Sequence, residues 1–409
     1  MRHPSFAFLV LALAGPFFPA SAQQPQPLGR PLLEYAEPFS TVTGFRELSD
    51  GRVIVSDTRE KLIQLIDLRS GRATPISREG SGPTEYSIAG ALFPLPNDQT
   101  LLIDFGNQRF LRIGADGKPI ETISPPQLPT AAPAGGNTQI PAQAAGMLGR
   151  LFNPRAVDAQ GRLYFQANVY NFGDTPPPDS VPIVRWTIGQ TRVDSVGWVR
   201  IPPSAAPTVT RAGSATMVMA RVGGGGSMVW APAETWQVAP DGRIARVTPE
   251  PYQVTWFGTT SRATAGPAVA YTPIRVTEAD KEAYRERMRT APRQMITMGS
   301  AGVASRSTGG PTVSMPEVTF AETMPPFWEQ TSVRTSPDGE VWVLRTRPAR
   351  DRVPVYDVFD ASGRLARKVA LPADTRLVGF GKESVYLVRR DADDLEYLQK
   401  YTRPAVGQP

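Results

Sequence analysis

The sequence predicts an all-β fold, a six-bladed β-propeller with one short inserted helix. Three observations support it: six copies of a strand–turn–strand pattern, Gly-containing turns between the strands, and many Pro (42) and Gly (36) residues. Because Pro and Gly interrupt helices and mark turns, we expect many short strands. Six such units of about 40 residues each indicate small sheets repeated around an axis.

The chain begins with the features of an export signal. Arg2 precedes an apolar run from Phe6 to Phe18, and Ala20-Ser21-Ala22 follows. This pattern is typical of a cleavable signal peptide over residues 1–22. We therefore expect cleavage after Ala22 and delivery to the periplasm or the exterior of a bacterial cell. A membrane anchor is the alternative, but no other long apolar run follows, so no span is expected in the mature chain.

The repeats follow one another along residues 29–405, which we predict to form one propeller domain. Their turns include Asp-Gly pairs, where Gly accepts a positive φ and closes a hairpin. We interpret the apolar strands after these turns as the inner strands of the blades. The six units are Ser49–Gly71, Pro96–Gly117, Asp158–Gly189, Ser227–Val247, Ser336–Val369 and Gly381–Pro404, with Asp-Gly turns at 50–51, 116–117, 241–242 and 338–339.

The two ends of the chain are predicted to close the ring. The last unit supplies only about three strands by the repeat pattern, and Leu32–Thr43 lies outside the first unit. Pairing the first strand with the last removes the exposed edges that invite aggregation.

Long insertions interrupt the repeats at 125–148, 203–226 and 260–325. Their Pro/Gly-rich composition predicts flexible loops, which could cap one face of the propeller. Within the last insertion we predict a helix over about 277–290, since Thr277 and Asp280 form an N-terminal capping pair. The helix is either a lid over the channel or a surface decoration.

Composition excludes several kinds of active site. His3 is the only histidine, it leaves with the signal peptide, and the chain has no Cys. The mature chain therefore cannot build Ser-His-Asp or Cys-His nucleophiles or His-ligated metal sites. The net charge of +6 comes from scattered Arg residues without a basic run, so no nucleic-acid partner is expected.

The segment Gly80–Tyr86, GSGPTEY, has the glycines of a phosphate-binding loop. Such a loop needs a following helix and a Lys-Ser/Thr pair, whereas Glu85 here would repel a phosphate. We therefore predict a crossover between blades, in which Gly80 and Gly82 adopt unusual backbone angles.

The same segment resembles the G-x-G-P-G-E-F motif of exported bacterial six-bladed propellers of the NHL-repeat-like type. Ile103–Gly117, IDFGNQRFLRIGADG, is similar to their A-D-S-G-N-x-R-I repeat motif. The resemblance is carried by the first two and last two units. It implies the propeller fold and, because the family is functionally mixed, lends no catalytic residues.

The first candidate site is a calcium site built from oxygen ligands in the channel, as in some propeller lactonases. Hydrogen bonds within blade turns are the alternative role for these side chains. The candidate ligands are Asp57, Asp104, Asn107, Asn168 and Glu234.

The second candidate is an arginine cluster. Arg345 and Arg347 follow one strand and Arg389 and Arg390 follow the next, so adjacent blades should bring them to one rim of the channel. Their guanidinium groups would suit a carboxylate or phosphate. The alternative is surface ion pairing with Asp391, Asp393, Asp394 and Glu396.

A third candidate is a sugar site on stacked tryptophans, for which core packing is the alternative. The residues considered are Trp186, Trp230, Trp236, Trp328 and Trp342.

These observations favour an exported, non-catalytic propeller that binds a ligand or protein through its rim and channel. The expected partner is a small anionic ligand or an envelope protein, the expected state is a monomer, and no cofactor is expected. The alternative is a Ca²⁺-dependent hydrolase or lactonase with carboxylate and amide ligands in the channel. A third hypothesis is an envelope-associated protein that docks through its Pro-rich loops.

Overall fold

The computed structural model describes residues 24–128, 151–167, 178–201, 208–212, 215–219, 228–258, 262–290, 297–298, 304–305 and 318–404. The predicted fold is confirmed, because six sheets of four or five strands form a six-bladed β-propeller. The predicted signal peptide lies outside the described residues. No helix in the described part of the chain has the length and apolar character needed to cross a membrane.

Two short strands precede the first three blades. They are β1 (Gln26–Pro27) and β2 (Leu33–Glu34). Blade 1 comprises β3 (Val42–Glu47), β4 (Val53–Asp57), β5 (Leu62–Asp67) and β6 (Arg72–Pro75). Blade 2 comprises β7 (Ala89–Pro94), β8 (Thr100–Asp104), β9 (Arg109–Ile113) and β10 (Pro119–Ile123). Blade 3 comprises β11 (Ala156–Val157), β12 (Arg162–Gln166), β13 (Ser180–Thr187) and β14 (Val193–Arg200).

Short ribbons flank blade 4. They use β15 (Thr208–Ala212), β16 (Ala215–Met219) and β17 (Met228–Val229) before it. Blade 4 comprises β18 (Thr235–Val238), β19 (Ile244–Pro249), β20 (Tyr252–Phe257) and β21 (Thr264–Ala265). After it come β22 (Ile274–Arg275), helix α1 (Glu278–Thr290), β23 (Thr297–Met298), β24 (Ala304–Ser305), β25 (Thr319–Phe320), β26 (Thr323–Met324) and a 3-10 turn, Gln330–Ser332.

Blades 5 and 6 complete the ring. Blade 5 comprises β27 (Val333–Thr335), β28 (Val341–Leu344), β29 (Val355–Phe359) and β30 (Leu365–Ala370). Blade 6 comprises β31 (Thr375–Phe380), β32 (Ser384–Arg390) and β33 (Glu396–Thr402).

The predicted closure by the chain ends is confirmed. Strand β2 pairs antiparallel with β33, with Leu33 opposite Lys400, and so supplies the fourth strand of blade 6. Strand β1 was not expected in a sheet, yet it pairs in parallel with β30 as a fifth strand of blade 5. Leu28, next to β1, is buried in the core between blades 5 and 6.

The first strand of each blade, not the strand after the turn, is the inner one. Strand β3 contacts the first strands of both neighbouring blades, β7 and β31. The sequence analysis placed the inner strand of each blade one strand too late, and the reason is physical. All five residues of β4 and of β8 are buried, so second strands give the strongest apolar signal. The first strand β3 mixes buried with exposed positions.

Two faces of the ring follow from this order. Loops from second to third strands, such as 58–61, lie on the same face as the crossovers between blades, such as 76–88. We call this the crossover face. The Asp-Gly hairpins lie on the opposite face, and their prediction is confirmed by positive φ values of 86°, 80°, 87° and 81° at Gly51, Gly117, Gly242 and Gly339.

Helix α1 begins and ends as predicted, within the connection from blade 4 to blade 5. The Thr277 amide donates to Asp280 Oδ2 at 2.9 Å, which caps the helix start. Tyr284 packs against Trp230 and Phe320, with ring centroids 6.1 and 5.7 Å away. The Ala349 amide donates to Asp280 Oδ1 at 2.7 Å, so the helix is tied to the crossover-face loop of blade 5.

Candidate functional site

The segment Gly80–Tyr86 forms the predicted crossover, but not by the predicted backbone angles. Neither Gly80 nor Gly82 has a positive φ. Both positions need glycine because the Glu85 carboxylate occupies the space into which a Cβ atom at either would project. The Gly82 amide donates to Glu85 Oε2 at 2.9 Å. The carboxylate thus fills the position that a phosphate would need, and this hydrogen bond and Arg78 hold its pKa below the usual range.

Asp57 lies at the end of the second strand of blade 1, on the crossover face, rather than at an inner strand. Its Oδ2 accepts the amides of Ser40 and Thr41 at 2.7 and 3.0 Å. Its Oδ1 accepts the amides of Arg59 and Glu60 at 3.0 and 3.1 Å. The side chain is 1% exposed, so both oxygens are committed to closing the blade.

Asp104 occupies the equivalent position in blade 2. Its Oδ1 accepts the amides of Ser87 and Ile88 at 3.0 and 3.1 Å. Its Oδ2 accepts the Asn107 side-chain amide at 2.7 Å and lies 3.4 Å from Arg109 Nε. The same pattern occurs in two blades. It indicates that both buried carboxylates satisfy their hydrogen bonds within the blades.

The remaining calcium-ligand candidates are spread over other blades. Glu234 directly precedes blade 4. Its Oε2 accepts the amide of Arg200, at the end of blade 3, at 3.1 Å. Asn168 lies outside the described residues. Within the residues that the structure describes, no group of three or more His, Cys, Asp or Glu side chains is placed to hold a metal ion. The calcium site stays a prediction, and the described carboxylates do not converge on one point.

Two of the four predicted arginines lie at the crossover-face end of blade 6. Arg389 is 3.3 Å from Glu34 and stacks on Tyr397 with 4.6 Å between the guanidinium carbon and the ring centroid. Arg390 lies 3.4 Å from Glu396 and 3.6 Å from Asp394. Both therefore have acidic partners, of which Glu396 is buried.

Arg345 and Arg347 point to different sides of blade 5. Arg345 lies 3.8 Å from the buried Asp357 and over the Tyr271 ring, toward blade 4. Arg347 donates to the backbone carbonyl of Asp351 at 2.9 Å and has no carboxylate within ion-pair distance among the described residues. The four arginines thus do not form one group, and their ligand role stays a prediction.

Arg347 belongs instead to a group with two arginines from inner strands. Arg334 lies on β27 of blade 5 and Arg376 on β31 of blade 6, and the charges of all three act on Tyr356 at the start of β29. We call Arg334, Arg347, Arg376 and Tyr356 the arginine–tyrosine cluster. Arg334, Arg347 and Tyr356 lie toward the crossover-face end of blade 5. Arg376 instead donates from Nη2 to the Val42 carbonyl of blade 1 at 3.1 Å and pairs with Glu396.

Tyr356 forms the floor of this cluster. Its ring packs in the core between blades 5 and 6, 5.9 Å from the Trp342 ring, and the side chain is 4% exposed. No hydrogen bond between its hydroxyl and another described residue is present. Burial raises the pKa of Tyr356, which the three arginines oppose. At neutral pH the group is therefore a phenol that can donate.

Arg334 is the least neutralised member of the cluster. Its one hydrogen bond within the described residues goes from Nη1 to the Val378 carbonyl at 3.4 Å. Burial lowers the pKa of Arg334, and the nearby charge of Arg376 acts in the same direction. Arg376 itself is 2.8 Å from Glu396, so it is paired.

The tryptophans considered for a sugar site are packed inside the fold. Trp186, Trp236 and Trp342 are buried between blades, and Trp230 lies beneath helix α1 beside Trp328. The exposed tryptophan of the described residues, at 57%, is Trp198 on the outer strand of blade 3. This arrangement is that of core packing rather than of a stacking surface.

Sequence reasoning missed Arg334 and Tyr356. Both lie within short strands whose apolar neighbours dominate the pattern, VRT and VYDVF. Arg334 could have been found as an Arg on an inner strand, but this requires that the inner strand is correctly assigned. No sequence signal marks Tyr356.

No protein-family model matches the chain, and no curated protein matches its sequence. Among solved structures, it is similar to a member of the DUF4221 family from Bacteroides vulgatus, with 9% identity, a TM-score of 0.47, and 92% of this chain and 98% of that chain covered. It is also similar to regucalcin, a calcium-binding protein from Agrobacterium tumefaciens, with 11% identity, 93% and 98% covered, and a TM-score of 0.39. Virginiamycin B lyase from Staphylococcus aureus has 11% identity, 92% and 99% covered, and a TM-score of 0.38. The fold assignment rests on the six blades themselves, and none of these similarities assigns a site residue to this chain.

Proposed function

We propose that this chain is an exported, non-catalytic binding propeller that holds an anionic ligand at the arginine–tyrosine cluster. The observation that carries the proposal is the pair Arg334 and Arg347. Both guanidiniums are partly buried, and neither has a carboxylate within ion-pair distance among the described residues.

A partly buried charge without a counter-charge is costly, and an opposite charge at the site offsets that cost. Guanidinium groups present fixed pairs of donors that match carboxylate and phosphate oxygens. The charges of both arginines act on Tyr356, whose hydroxyl is a neutral donor. An anion is therefore the ligand class that this chemistry favours.

The proposal is tested by isothermal titration of the mature protein with sodium phosphate, sulfate, citrate and acetate at low ionic strength. Arg334→Met keeps the length and apolar stem of the side chain but removes its charge. The matched control is Arg364→Gln, in the same blade on the opposite face, where Arg364 is 72% exposed beside Asp360.

We expect at least one anion to bind wild type and the control alike, and Arg334→Met to weaken binding roughly 10- to 100-fold, as for the loss of a charged hydrogen bond. Failure of every anion to bind, or equal binding by Arg334→Met, would contradict the proposal.

A further inference from the structure

We infer that a cleft between blades 1 and 6 binds a small zwitterion, namely an amino acid with an apolar side chain. The cleft has a volume of about 270 Å³ and lies on the face that carries the Asp-Gly hairpins. No member of the arginine–tyrosine cluster lines it. The inference therefore goes beyond the proposed function and does not depend on it.

Residues of both blades surround this one space. Blade 6 contributes Leu33 on β2 and Lys400 on β33, which lie opposite each other in the sheet. Blade 1 contributes residues 50–52, in the turn before β4, and residues 67–69, at the end of β5. The cleft is thus formed where the pairing of the chain ends brings blade 6 against blade 1.

One wall of the cleft is apolar. Leu33 and Leu68 both line it, and Leu33 packs against the hydrophobic cluster that contains Leu68. The volume of the cleft is below the roughly 300–1,000 Å³ of pockets for drug-sized ligands. The cleft therefore suits a ligand with one short apolar chain, which would cover part of the leucine surface.

Two of the three cations that line the cleft already have counter-charges. Arg52 lies 2.6 Å from Asp50, and Lys400 lies 3.0 Å from Glu47. Neither pair needs a ligand for its neutralisation, so the third cation, Arg69, decides the charge that a ligand must carry.

Asp67 and Arg69 remain as one unpaired charge of each sign. Asp67 Oδ1 accepts the Arg69 amide and Oδ2 accepts the Ser70 hydroxyl, both at 2.9 Å. These hydrogen bonds hold the pKa of Asp67 below its usual range, so the carboxylate is ionised at neutral pH. The Arg69 guanidinium forms no ion pair with Asp67 or with another carboxylate among the described residues, and both side chains are accessible from solvent.

An α-amino acid matches this arrangement. Its ammonium group would pair with Asp67, and its carboxylate would pair with the forked donors of Arg69. Its apolar side chain would lie against Leu33 and Leu68. A simple carboxylate or amine would leave one of the two charges at the cleft unmatched, and glycine would leave the leucines uncovered.

Isothermal titration of the purified protein with leucine tests the inference. The comparison ligands are isocaproate, which lacks the ammonium group of leucine, isoamylamine, which lacks its carboxylate, and glycine, which lacks its side chain. We expect leucine to bind with a Kd below about 1 mM. Each comparison ligand should bind at least roughly tenfold more weakly, as for the loss of one charged or apolar contact.

Two variants assign the charges to residues. Asp67→Asn keeps an acceptor for the Arg69 amide and Arg69→Gln changes an exposed side chain, so both should fold, which a thermal melt checks. We expect each variant to bind leucine at least roughly tenfold more weakly than wild type, as for one lost charged contact. Isocaproate binding should be unchanged in Asp67→Asn, and isoamylamine binding should be unchanged in Arg69→Gln.

The matched control is Asp360→Asn, in the corresponding turn of blade 5. Asp360 likewise accepts an amide two residues on and a serine hydroxyl, both from Ser362, at 2.9 and 2.6 Å. It does not line the cleft, so this variant should bind leucine like wild type.

No detectable leucine binding by wild type, or equal leucine binding by wild type, Asp67→Asn and Arg69→Gln, would overturn the inference. Isocaproate binding as tight as that of leucine would also overturn it, because the cleft would then select an anion rather than a zwitterion. None of these results bears on the anion site of the proposed function, which Arg334→Met tests separately.

Discussion

Three buried or partly buried arginines in this propeller differ in their partners. Arg367 forms two hydrogen bonds with Glu340, at 2.7 and 2.9 Å, in the core of blade 5. Among the described residues, the partners of Arg155 are neutral, namely Gln166, Thr235 and the Trp236 ring, and burial lowers its pKa to about 10. Arg334 has one carbonyl. The first arrangement is self-contained, and the last leaves the Arg334 charge without a counter-charge among the described residues.

The buried pair gives a prediction about stability. Glu340→Ala should lower the free energy of unfolding by about 3–5 kcal/mol, because it leaves the Arg367 charge buried without a counter-charge. Denaturant unfolding measures this. Glu121→Ala, at an exposed pair with Arg112, is the control and should change little. A loss below about 1 kcal/mol in Glu340→Ala would mean that water reaches the pair.

Asp357 gives a prediction about pH. Burial raises its pKa, only partly opposed by Arg345 and Tyr252, and its Oδ1 is buried without a partner among the described residues. Above the ordinary Asp pKa of about 3.9 the unfolded chain releases this proton more readily than the folded chain, so stability falls as pH rises. Asp357→Asn should therefore gain stability relative to wild type between pH 4 and pH 7 in thermal melts. A difference that is constant with pH would show that Asp357 titrates normally.

At the scale of elements, helix α1 and the loop 345–354 are joined by a hydrogen bond to Asp280. Asp280 caps the helix through Thr277 and also accepts the Ala349 amide, so one carboxylate holds both elements. The sequence contains the capping pair and thus predicts the helix within one residue. It cannot predict the bond to Ala349, because that bond joins residues 69 positions apart.

Asp280→Ala should loosen both elements together. We expect faster amide hydrogen exchange in 278–290 and in 345–350, with a cost of about 1–2 kcal/mol, as for the loss of a helix cap. Glu282→Gln, on the exposed side of the same helix, serves as the control. Faster exchange in the helix alone would show that the loop is held by other contacts.

At the scale of the whole molecule, the pairing of β2 with β33 closes the ring of blades. The chain has no Cys, so no disulfide contributes to this closure. The repeats, the turns and the closing strand could be predicted from sequence, because each depends on local patterns such as Asp-Gly. The inner strands could not, since β11 and β27 are only two and three residues long. The arginine–tyrosine cluster was missed for the same reason, as it joins the ends of β27, β29 and β31.

Closure predicts the effect of removing the two strands that precede blade 1. Removing residues 24–34 deletes β1 and β2 and exposes the edge of β33, so we expect a lower melting temperature and oligomers on size exclusion. Removing only 24–28 deletes the parallel strand β1 and should have the smaller effect. Equal melting temperatures for the two truncations would argue against closure by β2.

The central claim, an anion at the junction of blades 5 and 6, is tested most directly by the anomalous difference map of crystals soaked in tungstate, a tetrahedral dianion. The account predicts a peak whose oxygens lie within hydrogen-bond distance of the Tyr356 hydroxyl and the Arg334 guanidinium, about 2.7–3.2 Å. A peak elsewhere, with the cluster empty in the same crystal, would contradict it.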